Sequence, residues 1–142
     1  MQQKFSLLDR TCEAAIIPKC KERGISFQAY SPLERGILTG KVTMDTQLVG
    51  NAKKGIVWYE PEKRIKLIQM LKEFEPLCKK YNTSTASLVI AWTAAQTNNI
   101  NVLCGARKES QIADNANGGS LLLEKQDLAF MDQKAKELLA MA

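Results

Sequence analysis

The chain has 142 residues and a formal net charge of +5, and 45% of its residues are hydrophobic and 25% are charged. These proportions are typical of a soluble globular protein and exclude a disordered chain. The length predicts one domain over residues 1–142.

The apolar runs and the first residues of the chain indicate in which cellular compartment the protein is expected. The longest apolar runs, such as the one over residues 87–92, are far shorter than the roughly 20 residues of a membrane-spanning helix. The first residues lack the apolar stretch of a secretory signal. We therefore expect a cytoplasmic protein without a membrane partner.

Cysteines and basic residues give no sign of a metal site or a nucleic-acid surface. The four cysteines form no CxxC pair and no histidine is present, which predicts reduced and mostly buried thiols. A positive net charge can favour binding of nucleic acid, an anionic lipid surface or a phosphorylated small molecule. The lysines are scattered without interleaved aromatic residues, so solvated helix faces explain most of the charge and no nucleic-acid partner is expected.

The first elements form a strand and a helix. Residues 2–8 read as a short strand that runs into a loop. Asp9 or Thr11 is placed to cap a helix over residues 12–23, and Gly24 follows in the usual position for a left-handed residue.

A second strand and a long loop come next. Residues 25–30, bounded by Gly24 and Pro32, predict a strand, and the strand–helix–strand order favours parallel pairing. Residues 31–60 show no sustained period and predict a long loop, which in a compact domain is usually functional or disordered. Its glycines are Gly36, Gly40, Gly50 and Gly55. Trp58 and Tyr59 lie in this loop, where they either line a site or anchor it.

Helical periodicity then resumes. Pro61 suits the first turn of a helix, and Pro76 should kink or divide it because proline lacks the amide donor. Asn82-Thr83-Ser84 supplies caps for a helix over residues 84–96, in which Trp92 is expected in the core.

The last elements are a strand and two helices. Residues 100–104 predict a short strand that ends at Gly105, and helical turns follow over residues 108–116. Asn117-Gly118-Gly119 is expected to stop them. The final helix is predicted over residues 125–139.

Gly105-Ala106-Arg107-Lys108 joins the last strand to a helix start. The first amides of a helix point outward unpaired and the helix dipole is positive there, so this turn suits an anion. Arg107 can fork onto a phosphate and Lys108 adds a point charge. Gln111, Asp114 and Asn115 can share one helix face and hydrogen-bond an adenine or ribose. The same residues also suit an ordinary strand-to-helix turn with a solvated basic residue.

Taken alone, Tyr30-Ser31-Pro32-Leu33 is only a turn in which the proline fixes one dihedral angle. However, this turn opens a longer run, Tyr30-Ser31-Pro32-Leu33-Glu34-Arg35-Gly36-Ile37-Leu38-Thr39-Gly40-Lys41, and a second run lies downstream, Gly105-Ala106-Arg107-Lys108-Glu109-Ser110-Gln111-Ile112-Ala113-Asp114-Asn115. Together, the two runs resemble the dinucleotide-binding half of an aldo-keto reductase. The resemblance implies an α/β fold: a partial (β/α)8 barrel, from the sixth strand to the final helices, with three parallel strands and outer helices.

This resemblance implies binding of NADP(H) and gives each cofactor contact a role. Tyr30 matches the aromatic residue that stacks on the nicotinamide, and Gln2 the glutamine that holds its carboxamide. Ser31 and Leu33 match pyrophosphate contacts, in a loop that includes Pro32, Arg35 and Gly36, with Lys41 as a cation beside it. The segment from Gly105 through Arg107 and Lys108 to Gln111, Asp114 and Asn115 matches the adenosine 2′-phosphate site. Glu34 and Arg35 replace the small residues that are common in the pyrophosphate loop, and Arg35 either adds a phosphate contact or blocks the approach.

No catalytic residue is expected in this chain. In the family resembled, the catalytic Asp, Tyr, Lys and His come from the first half of a barrel of about 250 residues, whereas this chain begins about where the sixth strand should begin. The family transfers a hydride from NADPH to a carbonyl, and the isolated chain should not. Three strands leave two unpaired edges, so a homo-oligomer or a complementary half-barrel chain is expected. The alternative function is an interaction module that has lost cofactor binding.

Overall fold

The protein is described here by a computed structural model that covers residues 1–47 and 56–141, and the loop glycines Gly50 and Gly55 lie outside these ranges. Three strands, β1 (Gln2–Lys4), β2 (Phe27–Tyr30) and β3 (Ile100–Leu103), form a parallel sheet in the order β1-β2-β3. Tyr30 is in register with both Lys4 and Leu103, so the carboxyl ends of all three strands meet at one edge. The predicted parallel α/β arrangement is confirmed.

Helices connect these strands and follow them. Six α-helices lie within the described ranges: α1 (Ile16–Glu22), α2 (Pro61–Glu73), α3 (Glu75–Lys80), α4 (Thr85–Ala94), α5 (Glu109–Ser120) and α6 (Lys125–Ala140). Between β2 and α2, the described residues contain only two short 3-10 segments, Glu34–Thr39 and Val57–Tyr59, as expected of a long loop.

One face of the sheet forms the core. Phe27 and Ala29 of β2 are fully buried whereas the alternate residues of that strand are exposed, because successive side chains of a strand point to opposite faces. Phe5, which follows β1, stacks on Trp92 of α4 at 5.8 Å between ring centroids and meets the Phe27 ring edge-on at 6.1 Å. Trp92 is therefore a core residue, as predicted.

Several local signals have the predicted effect. Gly24 adopts a left-handed φ of +64° after α1. Pro61 occupies the first turn of α2. Pro76 lies in the first turn of a separate helix, α3, because its ring nitrogen has no hydrogen to donate to a preceding turn. The Ser84 hydroxyl accepts a hydrogen bond of 3.0 Å from the amide of Ser87 and caps α4.

The prediction for α1 was too long. The helix begins at Ile16, after turns at residues 11–15, and its N-cap is Ala15 without a side-chain cap. Asp9 instead accepts a hydrogen bond of 2.8 Å from the Thr11 hydroxyl and stabilises the preceding turn. Pro18 explains the late start, because proline is tolerated only in the first turn of a helix.

Gly118 does not stop α5, contrary to the prediction for Asn117-Gly118-Gly119. The helix continues to Ser120, and Gly118 is buried against α4. A Cβ atom at Gly118 would lie 2.7 Å from the carbonyl oxygen of Ser87. The glycine is therefore needed for the close approach of two helices and not for a turn.

The C-terminal helix is attached to α2 and α3 by charged groups. Lys80 contacts Asp127 at 2.7 Å, and the Tyr81 hydroxyl donates to the same carboxylate. Burial alone would raise the pKa of Asp127, but the hydrogen bonds from Lys80 and Tyr81 lower it below its usual value. Lys134 contacts Glu73 at 2.6 Å. None of the helices in the described ranges has the length and apolar content to cross a membrane.

All four cysteines carry free thiols. Cys12 and Cys20 are buried, in agreement with the prediction, whereas Cys78 and Cys104 are partly buried.

Candidate functional site

A cleft of about 840 Å³ lies at the carboxyl edge of the sheet, between the loop after β2 and the turn after β3. Its size falls within the range of about 300–1,000 Å³ that is typical of small-molecule sites. Eleven of the predicted site residues line it: Ser31, Pro32, Leu33, Arg35, Gly36, Lys41, Gly105, Arg107, Gln111, Asp114 and Asn115.

Three predicted residues do not line this cleft. Tyr30 is the last residue of β2 and is 42% exposed on the open face of the sheet. Gln2 lies on the same face but two residues before Lys4, about 6.6 Å back from the edge of the sheet. Lys108 is exposed at the start of α5, next to the lining residue Arg107.

The loop after β2 has an unusual backbone. Ser31, Glu34 and Arg35 have φ values of 55°, 46° and 54°, in the left-handed region that non-glycine residues seldom occupy. Gly40 also has a positive φ, and a Cβ atom there would lie 2.8 Å from the Thr85 hydroxyl oxygen. Such conformations persist only where the surrounding contacts hold them.

Glu34 provides one of those contacts. Its side chain is 3% exposed, accepts a hydrogen bond of 2.6 Å from the Ser6 hydroxyl and lies 2.9 Å from the Lys4 ammonium. Burial alone would lower the pKa of Lys4, but the carboxylates of Glu34 and Asp9 raise it above its usual value. Glu34 thus ties the strained loop to the end of β1 instead of facing the cleft.

Gln111 organises the opposite wall. Its side-chain oxygen accepts hydrogen bonds from the backbone amides of Arg107, at 2.7 Å, and Lys108, at 3.2 Å. Gln111 is the third residue of α5, and a side chain there that accepts a hydrogen bond from the amide at the start of the helix forms one half of a capping box. The Arg107 and Lys108 side chains are exposed beside these amides.

Asp114 and Asn115 hold α5 in place. The Asp114 carboxylate accepts hydrogen bonds of 2.7 Å from the hydroxyls of Ser84 and Ser87, at the start of α4. Asn115 donates to the carbonyl oxygen of Gly105 at 3.3 Å. Both side chains line the cleft, but the Asp114 carboxylate and the Asn115 amide nitrogen already make contacts within the protein.

Trp58 and Tyr59 anchor the long loop. They are 7% and 3% exposed, and neither lines the cleft. The Tyr59 hydroxyl donates to the carbonyl oxygen of Arg35 at 3.4 Å, so the anchor reaches a residue of the cleft wall. Of the two alternatives left by the sequence, the structure favours the anchor.

Sequence reasoning missed some residues of the cleft. These are Thr39, Gln47, Ala86, Leu103, Cys104 and Ala106. Leu103 and Cys104 carried a usable signal, because ligands of parallel α/β proteins bind beyond the carboxyl ends of strands. Burial raises the pKa of the Cys104 thiol.

Comparison with known proteins gives the family. The family model of the aldo/keto reductases matches residues 1–136. The chain is 37% identical over 138 residues to the NADH-specific methylglyoxal reductase of Escherichia coli, with 97% of this chain and 42% of the relative covered. It is 30% identical to the uncharacterized oxidoreductase YrpG of Bacillus subtilis, with 92% and 38% covered.

A solved structure shows the same fold. The glycerol dehydrogenase AKR11B4 from Gluconobacter oxydans superimposes with a TM-score of 0.83 at 25% identity, covering 99% of this chain and 42% of that chain. This chain belongs to the aldo/keto reductase family of oxidoreductases, whose members use nicotinamide cofactors, and it spans about two-fifths of the length of the relatives named here.

Proposed function

We propose that this chain forms the nicotinamide dinucleotide site of an aldo-keto reductase, as the part of a (β/α)8 barrel from the sixth strand to the final helices, and that it binds NADP(H). The main support is the cleft, in which eleven residues from two separate sequence segments meet. Those segments are more than 60 residues apart, so their convergence is a property of the fold.

The walls of the cleft suit an anionic ligand. Arg35, Lys41 and Arg107 line it, and its lining carboxylate, Asp114, is engaged by two serine hydroxyls. In the proposed binding mode the loop from Ser31 to Lys41 contacts the pyrophosphate, and Arg107 with Lys108 reaches the adenosine 2′-phosphate. Tyr30 and Gln2 then approach the nicotinamide from the open face of the sheet.

The reaction of the whole protein is proposed to interconvert a carbonyl and an alcohol. The E. coli relative is named as a methylglyoxal reductase and the G. oxydans neighbour as a glycerol dehydrogenase. When bound, a reduced nicotinamide would supply the hydride for reduction of the carbonyl, and an oxidised nicotinamide would accept the hydride from the alcohol. These 142 residues include no histidine, and we propose that they supply cofactor contacts but not the groups that protonate the carbonyl, so purified chain should not oxidise NADPH in the presence of a simple aldehyde.

Arg107→Ala tests the assignment of the 2′-phosphate. A charge-assisted contact to phosphate contributes about 1.5–3 kcal/mol, so the variant should lose about tenfold or more of its affinity for NADPH and little of its affinity for NADH. Calorimetric titration of both dinucleotides is the measurement, and Arg23→Ala, an exposed arginine outside the cleft, is the control. Equal effects on both dinucleotides would remove Arg107 from this site. No saturable binding of either by the parent chain would contradict the proposed function.

The second candidate function is an interaction module that pairs with another copy or with a complementary half-barrel chain. Its support is the open apolar surface along β3. Ile112 is 61% exposed, and with Ile100 and Val102 it lines a second cavity of about 410 Å³ along this strand.

Sedimentation velocity across a wide concentration range tests this candidate. We expect the weight-average sedimentation coefficient to rise with concentration, because burial of apolar surface stabilises association. Ile112→Glu should weaken association and leave dinucleotide binding intact, since Ile112 lines only the second cavity. A parent chain that stays monomeric at all concentrations would count against self-association, and addition of a candidate partner would then test the complementary chain.

A further inference from the structure

The ion pair between Lys4 and Glu34 joins two parts of the candidate site that are distant in sequence. Lys4 is the last residue of β1 and is in register with Tyr30, so both side chains lie on the open face of the sheet, on the same side as Gln2. Glu34 lies in the loop after β2, and its carboxylate is 2.9 Å from the Lys4 ammonium. The pair therefore connects the strand ends at the proposed nicotinamide position to the proposed pyrophosphate loop.

The side-chain contacts of Glu34 hold a backbone that is unfavourable by itself. Glu34 and Arg35 have φ values of 46° and 54°, which bring a Cβ atom too close to the following carbonyl group. Glu34 is 3% exposed and does not line the cleft, whereas its two neighbours, Leu33 and Arg35, do. Lys4 and Ser6, both outside the loop, hold the Glu34 carboxylate. Relaxation of Glu34 would therefore displace the two residues that face the ligand.

The ion pair also compensates a charge that would oppose an anionic ligand. Because Glu34 lies between two residues of the cleft wall, an unpaired carboxylate there would repel a pyrophosphate group. The Glu34 side chain is buried, so water and salt would screen this repulsion only weakly. Asp9 contacts the same ammonium at 3.3 Å, but its side chain is more exposed than that of Glu34. The positive charge of Lys4 is thus placed beside the carboxylate that most needs it.

We infer that Lys4 and Glu34 are positioning residues for the pyrophosphate group of the bound dinucleotide. This inference rests on the proposed function. The pair acts through the loop: Glu34 holds the backbone of residues 33–36 in the conformation that receives the pyrophosphate, and Lys4 fixes Glu34 and compensates its charge. Since the pyrophosphate is common to NADH and NADPH, the pair contributes equally to the binding of both.

Glu34→Gln separates the ion pair from the packing of the side chain. Glutamine has nearly the same shape and keeps an oxygen that can accept from the Ser6 hydroxyl, but it has no charge to pair with Lys4. The affinities for NADH and NADPH should both fall about tenfold, because a charge-assisted hydrogen bond is lost. The affinity for adenosine 2′-monophosphate, which has no pyrophosphate, should not change. Glu22→Gln is the matched control and should leave all three affinities unchanged, because Glu22 contacts Lys19 at 3.0 Å in an exposed ion pair outside the cleft.

Substitution of Lys4 tests the charge compensation. Lys4→Met should weaken dinucleotide binding more than Glu34→Gln does, because it leaves a buried carboxylate without a counter-charge. The double variant Lys4→Met/Glu34→Gln should therefore bind as tightly as Glu34→Gln alone. Lys4→Arg, which keeps the positive charge, should retain most of the affinity of the parent. Two independent contributions to binding would instead give losses that add.

The measurements are calorimetric titrations of the 142-residue chain and its variants with the three ligands, with thermal unfolding to show that each variant is folded. Unchanged dinucleotide affinity in Glu34→Gln, equal losses for all three ligands, or additive losses in the double variant would each overturn the inference and leave the proposed function standing. If Lys4→Met does not fold, the contrast among the ligands in Glu34→Gln decides. Absence of dinucleotide binding by the parent would overturn the proposed function and this inference together.

Discussion

Gly118→Ala should lower the free energy of unfolding by about 1–3 kcal/mol, in spite of the higher helix propensity of alanine. The new Cβ atom would lie 2.7 Å from the Ser87 carbonyl oxygen, 2.9 Å from the Ser87 Cα and 2.9 Å from the Ile90 Cβ. Two of these three atoms belong to the backbone and cannot move aside as a flexible side chain would. The substitution therefore forces α5 away from α4.

The displacement should also weaken dinucleotide binding. Ser87 donates to Asp114, one turn before Gly118 on α5, so the helix cannot move without stretching that contact. The same helix presents Gln111, at its amino end, to the cleft. Thermal and denaturant unfolding together with NADPH titration measure both effects.

Gly119→Ala is the matched control. It lies next to Gly118 in the same helix, but no atom comes within 4 Å of a Cβ built there. Replacement of a helical glycine by alanine then stabilises by up to about 1 kcal/mol. The two neighbouring substitutions should thus change stability in opposite directions, and equal effects would contradict the packing role of Gly118.

These glycines also show what the sequence could and could not predict. The pair after Asn117 resembles a helix stop, because glycine is the commonest residue just beyond a helix. Its actual role depends on Ser87 and Ile90, about 30 positions earlier, which approach only in the folded protein. Propensity describes a residue's local preferences and carries no information about such a partner.

Signals that act locally were sufficient elsewhere. Three such signals have the predicted effect and require only their immediate neighbours: Gly24 after α1, Pro76 in the first turn of α3 and the Ser84 cap of α4. Pro18 is also a local signal, and placing it in the first turn would have given the correct start of α1.

The candidate site also combines features that the sequence predicts with features that it does not. Its two loops were predictable because each contains a continuous motif, and the cleft contains residues from both. Glu34 was noted only as a departure from the family pattern, because Lys4 and Ser6, which hold its carboxylate, are about 30 residues away. Gln111 was expected to contact the ligand, and the sequence did not predict that its side-chain oxygen accepts hydrogen bonds from the amides of Arg107 and Lys108.

Arg64→Met should lower the free energy of unfolding by about 2–4 kcal/mol, because hydrogen bonds to a charged group contribute about 1.5–3 kcal/mol each and water can replace only some of them. Arg64 is 7% exposed and donates to the carbonyl oxygen of Tyr59, at 2.6 Å from one guanidinium nitrogen and 3.0 Å from another. It also donates to the carbonyl oxygens of Met44 at 3.1 Å and Thr46 at 3.3 Å. One buried side chain therefore fastens two segments of the long loop.

The same substitution should reduce dinucleotide affinity, because both fastened segments adjoin the cleft. Gln47, next to Thr46, lines it, and Tyr59 contacts the backbone of the lining residue Arg35. Arg64→Lys should fall between the parent and Arg64→Met, since an ammonium group cannot span the three carbonyl groups as the planar guanidinium does. Lys66→Met, at an exposed position of α2, should change stability by less than about 0.5 kcal/mol. If Arg64→Met unfolds at the same denaturant concentration as Lys66→Met and binds NADPH as tightly, then Arg64 does not hold the wall of the cleft.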